Sequence, residues 1–329
     1  MQDTFVFSSC FKPYIESLLK EKRQAGYQYD TAEYMLHRFD CFCVEHGITE
    51  AVVTKKLSDK WGELRDTESK ITQTGRISVL RQLCLYMQAS GIQCYIPRSF
   101  SHKSGSIAYV LTKEEITSFF EQVDAYRPAL GSAVFLRLSL EYKVLFRLIL
   151  CCGLRVSEAR KLSLDMVDMK NGILKICHSK GSNDRLVYMS DDLRKLCIEY
   201  RNLIETRFHI TSKWFFPARD PQKVFEVASI GRQFQRSWGK VPYAGNQLFH
   251  PTVHSLRHTF VVRRMNQWMQ EGIRLEEMMP YLSKYLGHSS VDDTFYYYHL
   301  VESSFRIIRE KDVSSDMIIP EAEDSEHEE

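Results

Sequence analysis

One stretch, Gly172 to Met189, constrains this fold more than any other, because there a strand-turn-strand pattern interrupts long runs of helical periodicity. Gly172-Ile173-Leu174-Lys175-Ile176-Cys177 and Arg185-Leu186-Val187-Tyr188-Met189 have the apolar and β-branched character of short strands. Ser179-Lys180-Gly181-Ser182-Asn183-Asp184 supplies the polar turn between them. The pattern predicts a mainly α fold with a small antiparallel β-hairpin.

Upstream, the segment from Phe5 to about Tyr95 is helical in period with almost no strand signal. In its last predicted helix Ile77, Leu80, Cys84 and Met87 recur at three- and four-residue steps, the spacing of one buried face, and Arg76 and Arg81 fall off that stripe. The helix is expected to stop at Ala89-Ser90-Gly91, where glycine takes the left-handed conformation. Beyond Pro97, the run from Arg98 to Ser106 is polar, small and basic, the composition of a linker. Residues 1–97 are therefore expected to form an N-terminal helical domain, 98–110 a linker, 111–311 a second domain, and 312–329 a flexible acidic tail. The second domain opens with Thr112 and Glu115 at capping-box spacing. Further on, the apolar run from Val144 to Cys152 leads into Gly153-Leu154-Arg155.

All 44 Lys and Arg precede Asp312, and eight of the 42 acidic residues lie from Asp312 onward, so the formal +2 of the whole chain becomes +10 for residues 1–311. An excess of that size suits a polyanionic partner. No segment reaches the roughly 18 apolar residues needed to span a bilayer, and Met1-Gln2-Asp3 lacks the basic start of a signal peptide. A cytoplasmic protein without membrane contact is expected. The nine cysteines, an odd number with no Cys-x-x-Cys pair, read as buried thiols of a reducing compartment.

Four separated features carry chemically capable side chains: Gly153-Leu154-Arg155-Val156-Ser157-Glu158, then Lys180, then His254-Ser255-Leu256-Arg257-His258, then Leu286-Gly287-His288 followed by Tyr297. Each alone has a plainer reading. An arginine after a helix end is usually a surface or packing residue, and a lysine in a polar turn is usually just solvated. His254 and Arg257, three apart on one helix face, fit a capped helix start. Tyr296-Tyr297-Tyr298 fits core packing. His250, His254 and His258 fall at four-residue steps, which invites a metal. Against it, Pro251 interrupts a helix through His250, and Ser255 stands where a His-Glu-x-x-His hydrolase needs its glutamate. No metal and no cofactor are expected.

Taken together, the features resemble the tyrosine recombinase/integrase family, whose catalytic order is Arg, Lys, His-x-x-Arg, His or Trp, then Tyr. Arg155, Lys180, His254, Arg257, His288 and Tyr297 stand in that order. Gly-Leu-Arg-Val-Ser-Glu, Ser-Lys-Gly-Ser-Asn-Asp-Arg-Leu-Val, His-Ser-Leu-Arg-His-Thr-Phe and Tyr-Leu-Gly-His-Ser-Ser are each close to the family's usual wording. In relatives with Leu-Gly-His the nucleophile generally lies nine positions after that histidine, which selects Tyr297 among its neighbours. The likeness is strong from about Leu111 to Arg309, and the N-terminal helices resemble a core-binding domain in pattern only. The ending from Tyr285 to Leu300 looks like the transposase-type recombinases of bacterial mobile elements.

The resemblance implies a two-domain clamp around double-stranded DNA, recognising specific recombination sites. It also implies a monomer or weak oligomer when free, a homotetramer in the synaptic complex, and other recombinases or accessory proteins of the same element as possible partners. In a bacterial cell it would lie at the nucleoid. Arg155 and Arg257 would hold the phosphate oxygens with planar, permanently charged donors, and His288 would add a third donor. His254 would accept or organise the tyrosine proton, Lys180 would protonate the leaving 5′-oxygen, and Glu158 would orient Arg155. Two other readings remain: DNA relaxation in the manner of a type IB topoisomerase, and a DNA-binding accessory protein without catalysis.

Overall fold

A computed structural model describes residues 5–27, 29–98, 108–128, 131–177, 184–242, 244, 250–288, 290–297 and 300. Lys180, most of the predicted hairpin turn, most of the linker, Tyr298 and the acidic tail lie outside the described residues. The chain divides into two compact units, Met1–Ser106 and Ile107–Glu329. Among the described residues no helix is long and apolar enough to cross a membrane.

The first unit contains α1 (Lys12–Gln24), α2 (Asp30–Glu45), α3 (Lys55–Gly62) and α4 (Lys70–Ala89). Thr54 and Ser69 start α3 and α4 by accepting the amides of Leu57 and Thr72, each at 3.1 Å. Phe11, Ile15 and Leu18 of α1, Leu36 and Phe39 of α2, Trp61 of α3, and Leu80, Leu83 and Met87 of α4 close one core. Gly91, with φ of +87°, follows the end of α4 as expected.

Arg76 departs from the expected pattern. It is buried, and Ile77 is only half-buried. Leu80, Cys84 and Met87 face inward as expected, joined by Arg76 and Leu83, so the stripe runs at i, i+4, i+7, i+8 and i+11 from Arg76. A buried guanidinium is tolerated because Glu68 accepts from it twice, at 2.9 and 2.6 Å, Glu63 offers its carbonyl at 3.0 Å, and the charge lies 4.8 Å from the Trp61 ring.

The second unit opens with α5 (Lys113–Ala125), whose Thr112/Glu115 capping box forms as expected. Then come α6 (Ala133–Cys152), α7 (Val156–Arg160), β1 (Val167–Asp168), β2 (Ile173–Ile176), β3 (Arg185–Tyr188), α8 (Asp191–Thr206), α9 (Val227–Trp238), α10 (Val253–Gln270), α11 (Leu275–Leu286) and α12 (Asp292–Phe295). In α6, Val144, Leu145, Phe146, Leu148 and Ile149 are all buried, which makes it the central helix against which α8 and α10 pack.

The strands form an antiparallel sheet in the order β1-β2-β3, with Leu174 opposite Val187. Leu174, Ile176 and Val187 face the core while Lys175, Leu186 and Tyr188 face outward, the period-2 alternation of a half-buried sheet. The architecture is thus mainly helical with a small three-stranded antiparallel sheet. The third strand, β1, is two residues long and below what sequence periodicity can register.

The cysteines follow their expected reading only in part. All nine are free thiols, but Cys43, Cys84, Cys152 and Cys197 alone are buried; Cys10, Cys41, Cys94 and Cys177 are half-buried and Cys151 is exposed. Cys151 sits at the end of α6, on the side of the helix turned from the core that takes Cys152.

Candidate active site

Two helix ends create the site. α6 stops at Gly153 and α11 stops at Gly287, both with φ of +64°. Carbonyls at a helix C-terminus have no partner within the helix and carry its partial negative charge, so they attract cations. Here three consecutive carbonyls at the end of α11 each receive an arginine: Tyr285 O from Arg185 Nε at 2.6 Å, Leu286 O from Arg257 Nη2 at 2.9 Å, and Gly287 O from Arg155 Nη2 at 2.8 Å. The end of α6 contributes Gly153 O, which accepts from Arg257 Nη1 at 2.7 Å.

Glu158 ties these arginines together. Its carboxylate accepts from Arg155 Nη1 at 3.0 Å and from the Arg155 amide at 2.8 Å, and it takes both terminal nitrogens of Arg185, at 3.0 and 2.8 Å. Arg257 Nη1 lies 3.9 Å away. Burial by itself would raise the pKa of Glu158, but the hydrogen bonds and charge of Arg185, the Arg155 amide and the charge of Arg257 bring it below the usual carboxylate range. It therefore stays anionic at neutral pH. Three guanidiniums against one carboxylate leave this group with a surplus of positive charge, facing outward through Arg155, whose side chain is 22% exposed. Arg257 forms the floor beneath it, 1% exposed. Burial and the neighbouring Arg155 push its pKa down to about 10, which still leaves it charged at neutral pH.

His288 adjoins the floor. Arg257 Nη2 lies 3.0 Å from His288 Nε2, and His288 Nδ1 lies 2.7 Å from Thr294 Oγ1. A guanidinium only donates, so Nε2 is the acceptor and the ring proton belongs on Nδ1. Burial and the charges of Arg257 and Arg155 push the pKa of His288 down to about 4, consistent with a neutral ring. For His288 to donate to a phosphate, the bond from Arg257 would first have to be exchanged.

Tyr297 stacks parallel to His288 at 6.5 Å between ring centres and is buried, 4% exposed. Its hydroxyl lies 2.8 Å from Nδ1 of His258. Burial raises its pKa above the ordinary phenol value, against the opposing charges of Arg257 and Arg155. Tyr296 was expected to pack in the core, yet it is 41% exposed and its hydroxyl accepts the Ala108 amide at 3.2 Å. The two tyrosines are therefore in different environments. His254 is exposed, one turn before His258 on α10, with its ring edge-on to that of His258 at 4.4 Å. α10 begins at Val253, after His250, and Ser255 closes a capping box with Thr252.

The site thus gathers Arg155, Glu158, Arg257 and His288 by direct contacts, with Tyr297 and His254 alongside. Lys180 lies outside the described residues. Arg185, His258 and Thr294 take part without having been selected from sequence. A signal for Arg185 was present, because it alternates with Val187 on the core-facing side of β3.

Gly153 carries a sharp constraint. A Cβ there would run into the ring of Phe260, and its left-handed backbone disfavours any side chain. Gly153→Ala is expected to cost at least about 2 kcal/mol, from left-handed strain plus the clash. Thermal unfolding of the full chain measures this; an unchanged melting temperature would contradict it.

Residues 110–303 match the phage integrase family. The chain belongs to that family. It is a tyrosine recombinase/integrase, an enzyme class that cleaves and rejoins DNA. It is 26% identical over 275 residues to a tyrosine recombinase of Pseudothermotoga lettingae, covering 80% of this chain and 84% of that one. It is 28% identical over 183 residues to tyrosine recombinase XerD of Pseudomonas putida, 54% of each chain. In fold it resembles the XerH site-specific recombinase bound to a palindromic difH substrate, with a TM-score of 0.62 at 18% identity over 93% of this chain and 91% of that one. It also resembles the Tn1549 transposon integrase in complex with transposon right end DNA, with a TM-score of 0.60 at 16% identity over 93% and 99%.

Proposed function

We propose that this recombinase exchanges DNA strands between specific sites through a covalent bond from Tyr297 to a DNA 3′-phosphate. The observation that carries the reading is the arginine cluster at the end of α11 with a buried tyrosine beside it. A phosphodiester attacked in line gains negative charge on its non-bridging oxygens, and fixed cationic donors in a site shielded from water stabilise that charge strongly. Arg155 is the accessible donor. Arg257 adds charge from below, and Glu158 and the α11 carbonyls hold both in place before substrate arrives.

Tyr297 Oη attacks phosphorus, and the bond to the 5′-oxygen breaks as Lys180 protonates that oxygen. The resulting 3′-phosphotyrosyl ester retains the energy of the broken bond, so attack by another 5′-hydroxyl religates DNA without ATP. The three guanidiniums supply the positive charge for this step, which gives it no need of a metal or cofactor. Four protomers on two sites exchange one pair of strands, pass through a Holliday junction, then exchange the other pair. The N-terminal helical unit serves as a core-binding domain that closes a clamp on the duplex. Its substrate sites are the boundaries of a mobile element, a reading supported by the likeness of the ending from Tyr285 to Leu300 to transposase-type recombinases.

The test is strand exchange between two labelled duplexes carrying DNA from either side of the gene. Recombinant products with trapped covalent complexes are expected. Relaxation of supercoiled DNA by a monomer without exchange would favour a type IB topoisomerase, and no trapped complex would favour an accessory DNA-binding protein.

A further inference from the structure

The partner of the Tyr297 hydroxyl is His258, a residue outside the six-member catalytic pattern. We propose that His258 is the catalytic base that takes the phenolic proton of Tyr297 as its oxygen attacks phosphorus. The inference rests on Tyr297 being the nucleophile.

The geometry favours this direction of transfer. His258 Nδ1 stands 2.8 Å from Tyr297 Oη, with ring centres 5.3 Å apart. A phenol is a stronger acid than a neutral imidazole N–H, and an imidazole nitrogen is a better acceptor than a phenol oxygen. The pair therefore settles as O–H donating to Nδ1, with the imidazole proton on Nε2. His258 lies on α10 one residue after Arg257, so the helix that carries the floor of the phosphate site also carries the proton acceptor. His254, to which the family likeness assigns that role, is one turn away with its ring against His258 rather than on the hydroxyl.

Charge makes the base dependent on substrate. Burial, then His254 and the charge of Arg257, push the pKa of His258 down to about 3, and burial keeps Tyr297 protonated. Among the described residues the rings of His254 and Tyr297 pack against that of His258, and the charge of Arg257 on the same helix acts on it. Without DNA, proton transfer is therefore suppressed and no free phenolate accumulates. A phosphate seated on the arginines offsets the positive charge that weakens His258, and the phosphorane offsets more of it. In the step itself the Oη–H bond breaks and the proton goes to Nδ1. The Oη–P bond forms, the P–O5′ bond breaks, and the 5′-oxygen takes its proton from Lys180. Religation returns both protons.

His258→Asn tests the role, because an asparagine oxygen can accept the hydroxyl near the Nδ1 position without being basic. On a nicked suicide duplex, DNA affinity should stay within about twofold and the rate of adduct formation should fall about 10²-fold. Replacing the leaving 5′-oxygen with sulfur, which departs without a proton, should rescue Lys180→Ala but not His258→Asn. An adduct rate within threefold of wild type, or rescue by sulfur, overturns the proposal. A second measurement uses the unaltered protein: the ring nitrogen shifts of His258 should show Nδ1 unprotonated, and a proton on Nδ1 overturns it equally. An adduct surviving in Tyr297→Phe would instead overturn the assignment of the nucleophile.

Discussion

Tyr297→Phe should abolish covalent capture of DNA while leaving DNA affinity within about a factor of two. The change removes a single oxygen, which is the only atom of that side chain able to bond phosphorus. Its structural cost is the hydrogen bond to His258, about 1 kcal/mol, and the ring still fills its place beside His288. The melting temperature should fall by only a few degrees. Adduct formation on a nicked duplex, with binding measured at the same salt concentration, checks the separation of chemistry from affinity. A residual adduct would show that another side chain attacks.

Arg257→Lys should lower the rate of adduct formation by about 10²–10³-fold with a much smaller change in binding. Arg257 spans Gly153 O, Leu286 O and His288 Nε2 with its two terminal nitrogens, tying the end of α6 to the end of α11. An ammonium is a point charge and cannot serve those directions together with a phosphate. At least one buried carbonyl would lose its donor, at about 1–3 kcal/mol. Single-turnover cleavage by a folded variant gives the test, and near wild-type rates would contradict a role for the guanidinium.

Much of this was legible in the sequence because local rules and tertiary demands agree. Thr112 and Glu115 form their capping box within four residues of chain. Gly153 was visible as a glycine after an apolar helical run, and it ends α6 in the left-handed conformation; Gly287 does the same for α11, but in the sequence it stood only as part of a motif. β2 and β3 followed from apolar and β-branched runs on either side of a polar turn. Arg76 was misplaced because hydrophobic periodicity passes over a cation, whereas the helix buries it by supplying Glu68 and Trp61 from other segments. The network of the site was harder still. That Arg155, Arg185 and Arg257 converge on three successive carbonyls depends on the end of α11 meeting the start of α7, β3 and α10, contacts that span 132, 100 and 29 residues of chain. His258 was visible as one of three histidines at metal-like spacing and as the residue after Arg257 in a family-like motif, but its contact with Tyr297 requires the fold to bring α10 beside the turn after α12.

The central claim is that one particular tyrosine carries the DNA. Trapping the complex on a nicked duplex, digesting it and sequencing the peptide that retains a nucleotide addresses this directly. The account predicts the 3′-phosphate on Tyr297; a nucleotide on Tyr296 or Tyr298, or no covalent peptide at all, would contradict it.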